Sequence, residues 1–302
     1  MIHVIGEVDG KEYKEPFSKG ILARSLTVAD LGVEDAYKIA TAIEMNLVLE
    51  NVDEISVTDL TDVVIKHLEE SYPVFAEKYK KWRIIRGTKE PLIILIGGAS
   101  GVGTSSMAFE LASRLGVKNL ISTDMIREVM RKIVSKDLCP VIHKSSFDAF
   151  ESIRTPTKSA DLVLEGFINH VDMVNVGVEA IIERSIKEGI STIIEGVHII
   201  PGFINPKLME NHNIVEFTLI IDDPELHKGR FYSRCRQPWV KRSLQRYLDN
   251  FDVIRRTQDF MIEQAKEFDS HIINNVDIVN TIDIMIDDIT ETYGEENVEK
   301  ES

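Results

Sequence analysis

Apolar residues fall at helical spacing through most of the first ninety positions, and after that in short unbroken runs separated by helical stretches. Met1 to Val8 and Lys11 to Phe17 flank Asp9-Gly10, a two-residue hairpin signal. Val33 to Leu49 carries Ile39, Ala40, Ile43 and Leu47 on one stripe, which predicts a helix. Ser56, with Asp59 three residues on, forms a variant capping box and opens a second helix with Leu60, Val63, Val64 and Leu68 on one face. A third amphipathic stretch, Val74 to Ile85, stops at Gly87. The polar segment Gly87-Thr88-Lys89-Glu90-Pro91, closed by proline, reads as a linker between a domain at 1–88 and another at 89–302.

Beyond the linker, strands alternate with helices, the pattern of a parallel sheet with crossover helices. Leu92 to Ile96 is continuously apolar, as a strand buried on both faces must be. The pattern then predicts helix Thr104 to Leu115, strand Asn119 to Ile121, helix Asp124 to Val134 and a mixed helical region to about Asn169. Helix Asp172 to Glu188 follows, then strands Thr192 to Ile194 and Val215 to Ile221. A basic helical pair from Pro224 to Phe268, strand Ile272 to Ile273 and a helix from Val279 complete the chain. The end, Glu291 to Ser302, is acidic and expected to fray.

Composition narrows the class. A chain of 302 residues with 43% hydrophobic and 28% charged residues can bury a core and is neither disordered nor low in complexity. Cys139 and Cys235, far apart and without a C-x-x-C pair, support neither a disulfide framework nor a structural zinc site, and fit a reducing cytoplasm. No apolar run reaches the roughly 18 residues of a membrane span, and Glu7 and Asp9 stand where a signal peptide would be basic, so an unexported cytoplasmic protein is expected. The net charge of −15 argues against nucleic-acid and anionic-membrane partners.

One segment departs from that charge. Lys228, Arg230, Arg234, Arg236, Lys241, Arg242 and Arg246 follow one another with no Asp or Glu between them. A solvated helix face would interleave acids at i±4; their absence favours a small-anion site on a lid spanning about 224–247. Tyr232, Trp239 and Tyr247 lie among these cations, and in so acidic a chain they read as packing for a lid helix rather than as stacking platforms for bases.

The strongest chemical signal is Gly97-Gly98-Ala99-Ser100-Gly101-Val102-Gly103-Thr104-Ser105-Ser106, a glycine-rich turn between a buried strand and a helix start. That context lets successive N–H groups surround a phosphate at a helix N-terminus. Gly98, Ser100, Gly101, Gly103, Thr104, Ser105 and Ser106 are the candidate nucleotide contacts, and Ser105 the hydroxyl for Mg²⁺. Thr104 stands where such loops carry lysine, so cationic compensation must come from elsewhere. Asp124, after the second strand, is a candidate to accept a hydroxyl proton or to hold Mg²⁺ through water; a helix N-cap is the competing role, which Thr123 fills equally well. Arg127 and Arg131, one helical turn apart, can hold an anion together. Glu195 ends a strand at the carboxyl edge of the sheet and is a candidate metal-binding acid, with a strand-end salt bridge as the alternative. His143 and His198 are expected to be hydrogen-bonded structural or surface groups.

With these motifs the sequence resembles the archaeal 2-phosphoglycerate kinases, whose loop also carries Thr for Lys. The resemblance rests on Gly97 to Ser106, on Ser122 to Arg131, on Ile194 to Gly202 and on Arg234-Cys235-Arg236-Gln237 through Tyr247. The first ninety residues resemble an ATP-cone, in Asp9-Gly10, Phe17-Ser18-Lys19 and Ala76 to Arg83, although Glu7-Val8 replaces the basic pair usual before the Asp-Gly. The first resemblance implies a nucleoside-kinase-like α/β fold with a five-stranded parallel sheet, Leu92 to Ile96 at its centre, preceded by a small, mostly helical domain with a β-hairpin. It implies transfer of the γ-phosphoryl group of ATP, with Mg²⁺ or another divalent cation, to the 3-hydroxyl of 2-phosphoglycerate. The product, 2,3-bisphosphoglycerate, would feed cyclic 2,3-diphosphoglycerate synthesis. Asp124, Arg234 and Arg236 are then the catalytic candidates, and Arg127, Arg131, Arg230, Arg242 and Arg246 the substrate-binding ones. A homo-oligomer is compatible with this reading. Two alternatives are another small-molecule P-loop phosphotransferase, acting on a nucleotide or a sugar, and a non-enzymatic nucleotide sensor.

Overall fold

The computed structural model describes residues 2–8, 11–29, 31–87, 90–153, 161–211, 213–235 and 243–300. The chain divides into two compact units, one of Met1–Thr88, Arg114–Gly116 and Tyr293–Ser302, the other of Lys89–Ser113 and Val117–Thr292.

The first ninety residues run β1 (His3–Val8), β2 (Lys11–Pro16), α1 (Lys19–Val28), α2 (Val33–Leu49), β3 (Glu54–Ser56), α3 (Val57–Ser71) and α4 (Pro73–Gly87). β1 and β2 form the expected antiparallel hairpin; its Asp9-Gly10 turn lies outside the described residues. The helix over Val33–Leu49 has the predicted ends. Ser56 caps α3, accepting from the Asp59 N–H at 3.0 Å while its hydroxyl donates to the Asp59 carboxylate at 2.7 Å. Two elements go beyond the sequence reading. β3, only three residues long, adds to β1 in parallel and is too short to show an alternating pattern. α1 is a ten-residue helix capped by Ser18. The apolar stripes of all four helices meet in one core built on Leu22, Leu26, Ile39, Ile43, Val64 and Leu68.

After residue 90 the order is β4 (Ile93–Gly98), α5 (Thr104–Leu115), β5 (Asn119–Ser122), α6 (Thr123–Ile133), α7 (Leu162–Glu188), β6 (Thr192–Gly196), α8 (Pro206–Met209), β7 (Ile214–Ile220), α9 (Pro224–Cys235), α10 (Leu244–Asp249), α11 (Phe251–Glu267), β8 (His271–Asn274) and α12 (Ile278–Lys300). Short 3₁₀ turns at Val141–His143 and Ser146–Ser152 separate α6 from α7. The five strands form one sheet in the order β5-β6-β4-β7-β8, every pairing parallel. β4 is therefore central, and all six of its residues are buried. One face of the sheet, with Ile93, Leu95 and Ile194, packs against Ile126 of α6 and Val174, Val178 and Ile182 of α7.

Three expectations need correction. α7 begins ten residues before the predicted Asp172, because Asp161 caps it by accepting from the N–H groups of Val163 and Leu164 at 3.1 and 3.2 Å. The basic helical pair is three helices, α9, α10 and α11. α12 continues to Lys300 where a frayed end is expected. Among the described residues, no helix is long and apolar enough to cross a membrane.

Candidate active site

In an open parallel sheet, ligands collect beyond the carboxyl ends of the strands. Here β4, β5 and β6 lie side by side and deliver three chemical groups to that edge: the glycine loop after β4, Asp124 after β5 and Glu195 at the end of β6. Ser122 and Ile96 each pair with Glu195 across the ladder, so the three groups emerge at one level.

The loop adopts the conformation its glycines permit. Gly101 and Gly103 have φ of +95° and +99°, a region that side-chain-bearing residues rarely enter. Its outward carbonyls are held by three side chains distant in sequence. His227 Nε2 lies 2.9 Å from the Ser100 carbonyl, while Arg230 Nη1 and Asn275 Nδ2 donate to the Val102 carbonyl at 3.1 and 2.8 Å. α5 starts at Thr104, and its first N–H groups have no intrahelical acceptor, which suits them to phosphate oxygens. Ser106 lies in this first turn.

Thr104 and Ser105 both donate to Glu195, Thr104 Oγ1 to Oε2 at 2.7 Å and Ser105 Oγ to Oε1 at 3.0 Å. Glu195 is buried and these two hydroxyls engage it from the loop, so the alternative of a strand-end salt bridge gives way to a hydroxyl–carboxylate cluster. Among the described residues no group of three or more His, Cys, Asp or Glu side chains could hold a metal ion. Ser105 and Glu195 nevertheless offer two hard oxygens beside the glycine loop. Such a donor set fits Mg²⁺, which keeps several waters and takes few protein ligands.

Asp124 is not the helix cap. Ser122 fills that position, accepting from the Asp124 N–H at 3.2 Å, and Thr123 is buried. The Asp124 carboxylate, 43% exposed, pairs with Arg127 at 3.0 Å. Arg127 is 15% exposed and also donates to the Lys144 carbonyl at 2.7 Å. Arg131 pairs with Glu128 at 2.7 Å instead of converging with Arg127.

The described cations of the basic run, Lys228, Arg230, Arg234 and Arg246, do not share one partner. Lys228 pairs with Glu225 at 3.0 Å. Arg230 gives its donors to the carbonyls of Val102, Asn275 and Val276, and burial lowers its pKa. Arg246 pairs with Asp148, donates to Ser145 at 2.9 Å and lies over the Phe147 ring. Arg234, near the end of α9, is exposed. Arg236, Lys241, Arg242 and Trp239 lie outside the described residues. Tyr247 is buried and stacks on Phe231 at 4.7 Å, the packing role expected of it, whereas Tyr232 is exposed.

Both singled-out histidines are hydrogen-bonded. His143 Nε2 lies 2.9 Å from the Val134 carbonyl and His198 Nδ1 2.7 Å from Thr123 Oγ1. His198 also packs edge-on against His170, ring centroids 4.9 Å apart. Burial holds both imidazoles neutral, with the nearby Arg127 charge adding to the effect, His170 down to about 2 and His198 down to about 3. Sequence reasoning missed His170, His227 and Asn275. Isolated polar residues within helices and just past a strand end carry no local signature of what they will meet.

These histidines make stability pH-dependent. The unfolded chain binds protons below its ordinary histidine pKa of 6.5, and the native state does not until far lower. Their contribution is full above pH 6.5 and lost as pH falls toward the folded values. Glu216 runs the other way. Burial raises it to about 7, so its contribution fades as pH rises from 4.5 to 7. His170→Phe should therefore flatten the acid limb of stability against pH, by on the order of 1 kcal/mol per unit between roughly pH 6 and 4. Urea denaturation across that range measures it; an unchanged slope would mean that His170 is already protonated in the native state.

Residues 7–88 match the family described as ATP cone domain. Across the whole chain, the sequence is 54% identical over 304 residues to 2-phosphoglycerate kinase of Methanothermobacter thermautotrophicus, covering 99% of each. It is 44% identical to the 2-phosphoglycerate kinase of Methanopyrus kandleri, over 92% of this chain and 85% of that one. It is 45% identical to that of Methanocaldococcus jannaschii, over 94% and 91%.

Proposed function

This chain belongs to the 2-phosphoglycerate kinase family, and from that membership we propose that it transfers the γ-phosphoryl group of ATP to the 3-hydroxyl of 2-phosphoglycerate, giving 2,3-bisphosphoglycerate and ADP. The observation that carries the reading is the meeting of the glycine loop, the Thr104–Ser105–Glu195 cluster and the Asp124–Arg127 pair at one edge of the sheet.

In this mechanism the loop from Gly98 to Ser106 binds the nucleotide phosphates through backbone N–H groups. Ser105 and Glu195 are the residues to hold Mg²⁺, with Thr104 orienting the carboxylate. When bound, the metal supplies charge neutralisation to the phosphate oxygens. Asp124 accepts the proton of the acceptor hydroxyl as the oxygen attacks phosphorus, and Arg127 holds its carboxylate in place through their ion pair. Phosphoryl transfer needs little covalent help, so positioning and charge carry the catalysis. The domain division at residue 88 belongs to the same reading, with the ATP-cone region preceding the kinase domain.

The acceptor carries a phosphate and a carboxylate, and forked guanidinium donors suit it. Arg230 and Arg246 spend their donors on the protein, which leaves Arg234, exposed near the end of α9, as our candidate among the described cations of the run to meet substrate, together with Arg236 and Arg242. Arg234→Ala should lower kcat/KM for the acceptor by about 2 kcal/mol, and Arg234→Lys should recover part of the loss, since a point charge does not reproduce the fork. Steady-state kinetics within about twofold of wild type would make Arg234 a solvated surface residue. A coupled ADP-release assay over phosphorylated acids, nucleosides and sugars tests the acceptor class. ADP release with 2-phosphoglycerate well above that with any other acceptor is expected, and preference for a nucleoside or a sugar would refute the reading.

A further inference from the structure

Asp124 and Glu195 leave neighbouring strands at the same level, and Thr123, which precedes Asp124, packs against Gly196, which follows Glu195. The Thr123 side chain is fully buried, with the hydroxyl 2.7 Å from His198 Nδ1. On its other side lies Gly196, immediately after Glu195. Gly196 has φ of +141°, and a Cβ there would come within 2.1 Å of Thr123 Oγ1. The hydroxyl is thus seated between the backbone that follows one acid and an imidazole three residues from that acid, on the residue that precedes the other acid. His198 is itself fully buried and braced by the His170 ring, which α7 supplies between the buried Phe167 and Val171. None of the three side chains reaches solvent, so none touches substrate in this state. A polar bond buried among apolar neighbours stabilises little over a packed hydrophobic pair, but it fixes geometry.

We propose that His198 is a positioning residue for phosphoryl transfer: through its hydrogen bond to Thr123 it seats the first turn of α6 against Gly196 and so sets the separation of Asp124 from Glu195. The acceptor hydroxyl and the transferred phosphoryl group must fit between those two carboxylates. An error of about 1 Å there costs on the order of 10²-fold in rate. Both imidazoles are neutral at working pH, so the bond has the same form throughout that range. The inference rests on the kinase reading, in particular on Asp124 and Glu195 acting on the same reaction.

The test is kinetic, on full-length Thr123→Val, His198→Phe and their double variant, with Thr123→Ser and His198→Asn as conservative partners. The single variants should lower kcat by about 10- to 100-fold while calorimetric ATP affinity and the KM for ATP stay within about twofold. Asn keeps a polar atom near the place of Nδ1, and Ser keeps the hydroxyl, so both should recover most of the rate. The double variant should fall no further than the worse single one, because both remove one bond. Single variants within about twofold of wild type in kcat would overturn the inference, as would multiplying losses in the double variant or ATP affinity falling in step with kcat. Thr123→Val, nearly isosteric, carries the test if His198→Phe does not fold. Absence of 2-phosphoglycerate turnover in the wild type would overturn the kinase reading and this inference together; normal wild-type turnover with unaffected variants would overturn this inference alone.

Discussion

Replacing Gly103 with Val is expected to abolish measurable ATP binding. Gly103 has φ of +99°, where a β-branched residue is strained by about 1–3 kcal/mol. A Cβ at this position would lie 2.9 Å from both Arg230 Nη1 and Asn275 Nδ2. Those groups hold the Val102 carbonyl. The substitution therefore does two things: it fills space on the loop and displaces the donors that fix the loop's path. N–H groups turned away from a common centre no longer surround a phosphate. Calorimetric titration with ATP should show affinity weakened by about 100-fold or more, with far-UV circular dichroism unchanged. Wild-type ATP affinity in Gly103→Val would remove the loop from the nucleotide site.

The second large effect is expected at Asp124. Asn is nearly isosteric and can still accept from Arg127, but it cannot take up a proton or carry charge. Asp124→Asn should lower kcat by about 10²-fold, roughly 2.7 kcal/mol of transition-state stabilisation, with ATP affinity little changed. Stability should hardly move, because an ion pair whose acid is 43% exposed contributes under about 1 kcal/mol. Ser122, not Asp124, caps α6, so a capping loss is no alternative explanation. Wild-type turnover in this variant would exclude the proton-accepting role.

What could be read in advance followed from local physics. The continuous apolar run at Leu92 to Ile96 required burial on both faces, and the strand it predicts is central in the sheet. Ser56 and Asp59 announced a helix start within four residues of chain. Thr104, odd for its missing lysine, pointed to unusual charge handling without showing where the hydroxyl would go. Its bond to Glu195 joins residues 91 positions apart and depends on the pairing of β4 with β6. The same distance hid His227 and Asn275, which hold the loop from helix α9 and from the end of β8. Some cations of the basic run meet acids that lie outside it, Lys228 the Glu225 three residues before it and Arg246 the Asp148 far away in sequence. Charge patterning is read along a chain, whereas neutralisation occurs in space. The early start of α7 escaped notice because its first turns mix polar and apolar positions, and only the Asp161 cap marks the boundary.

The most direct test of the central claim is the identity of the product. Phosphorus NMR of a reaction containing ATP, Mg²⁺ and 2-phosphoglycerate should show ADP growing in step with a compound that bears phosphomonoesters on carbons 2 and 3. ADP accompanied by inorganic phosphate alone, or no consumption of 2-phosphoglycerate while a nucleoside or a sugar is phosphorylated, would contradict it.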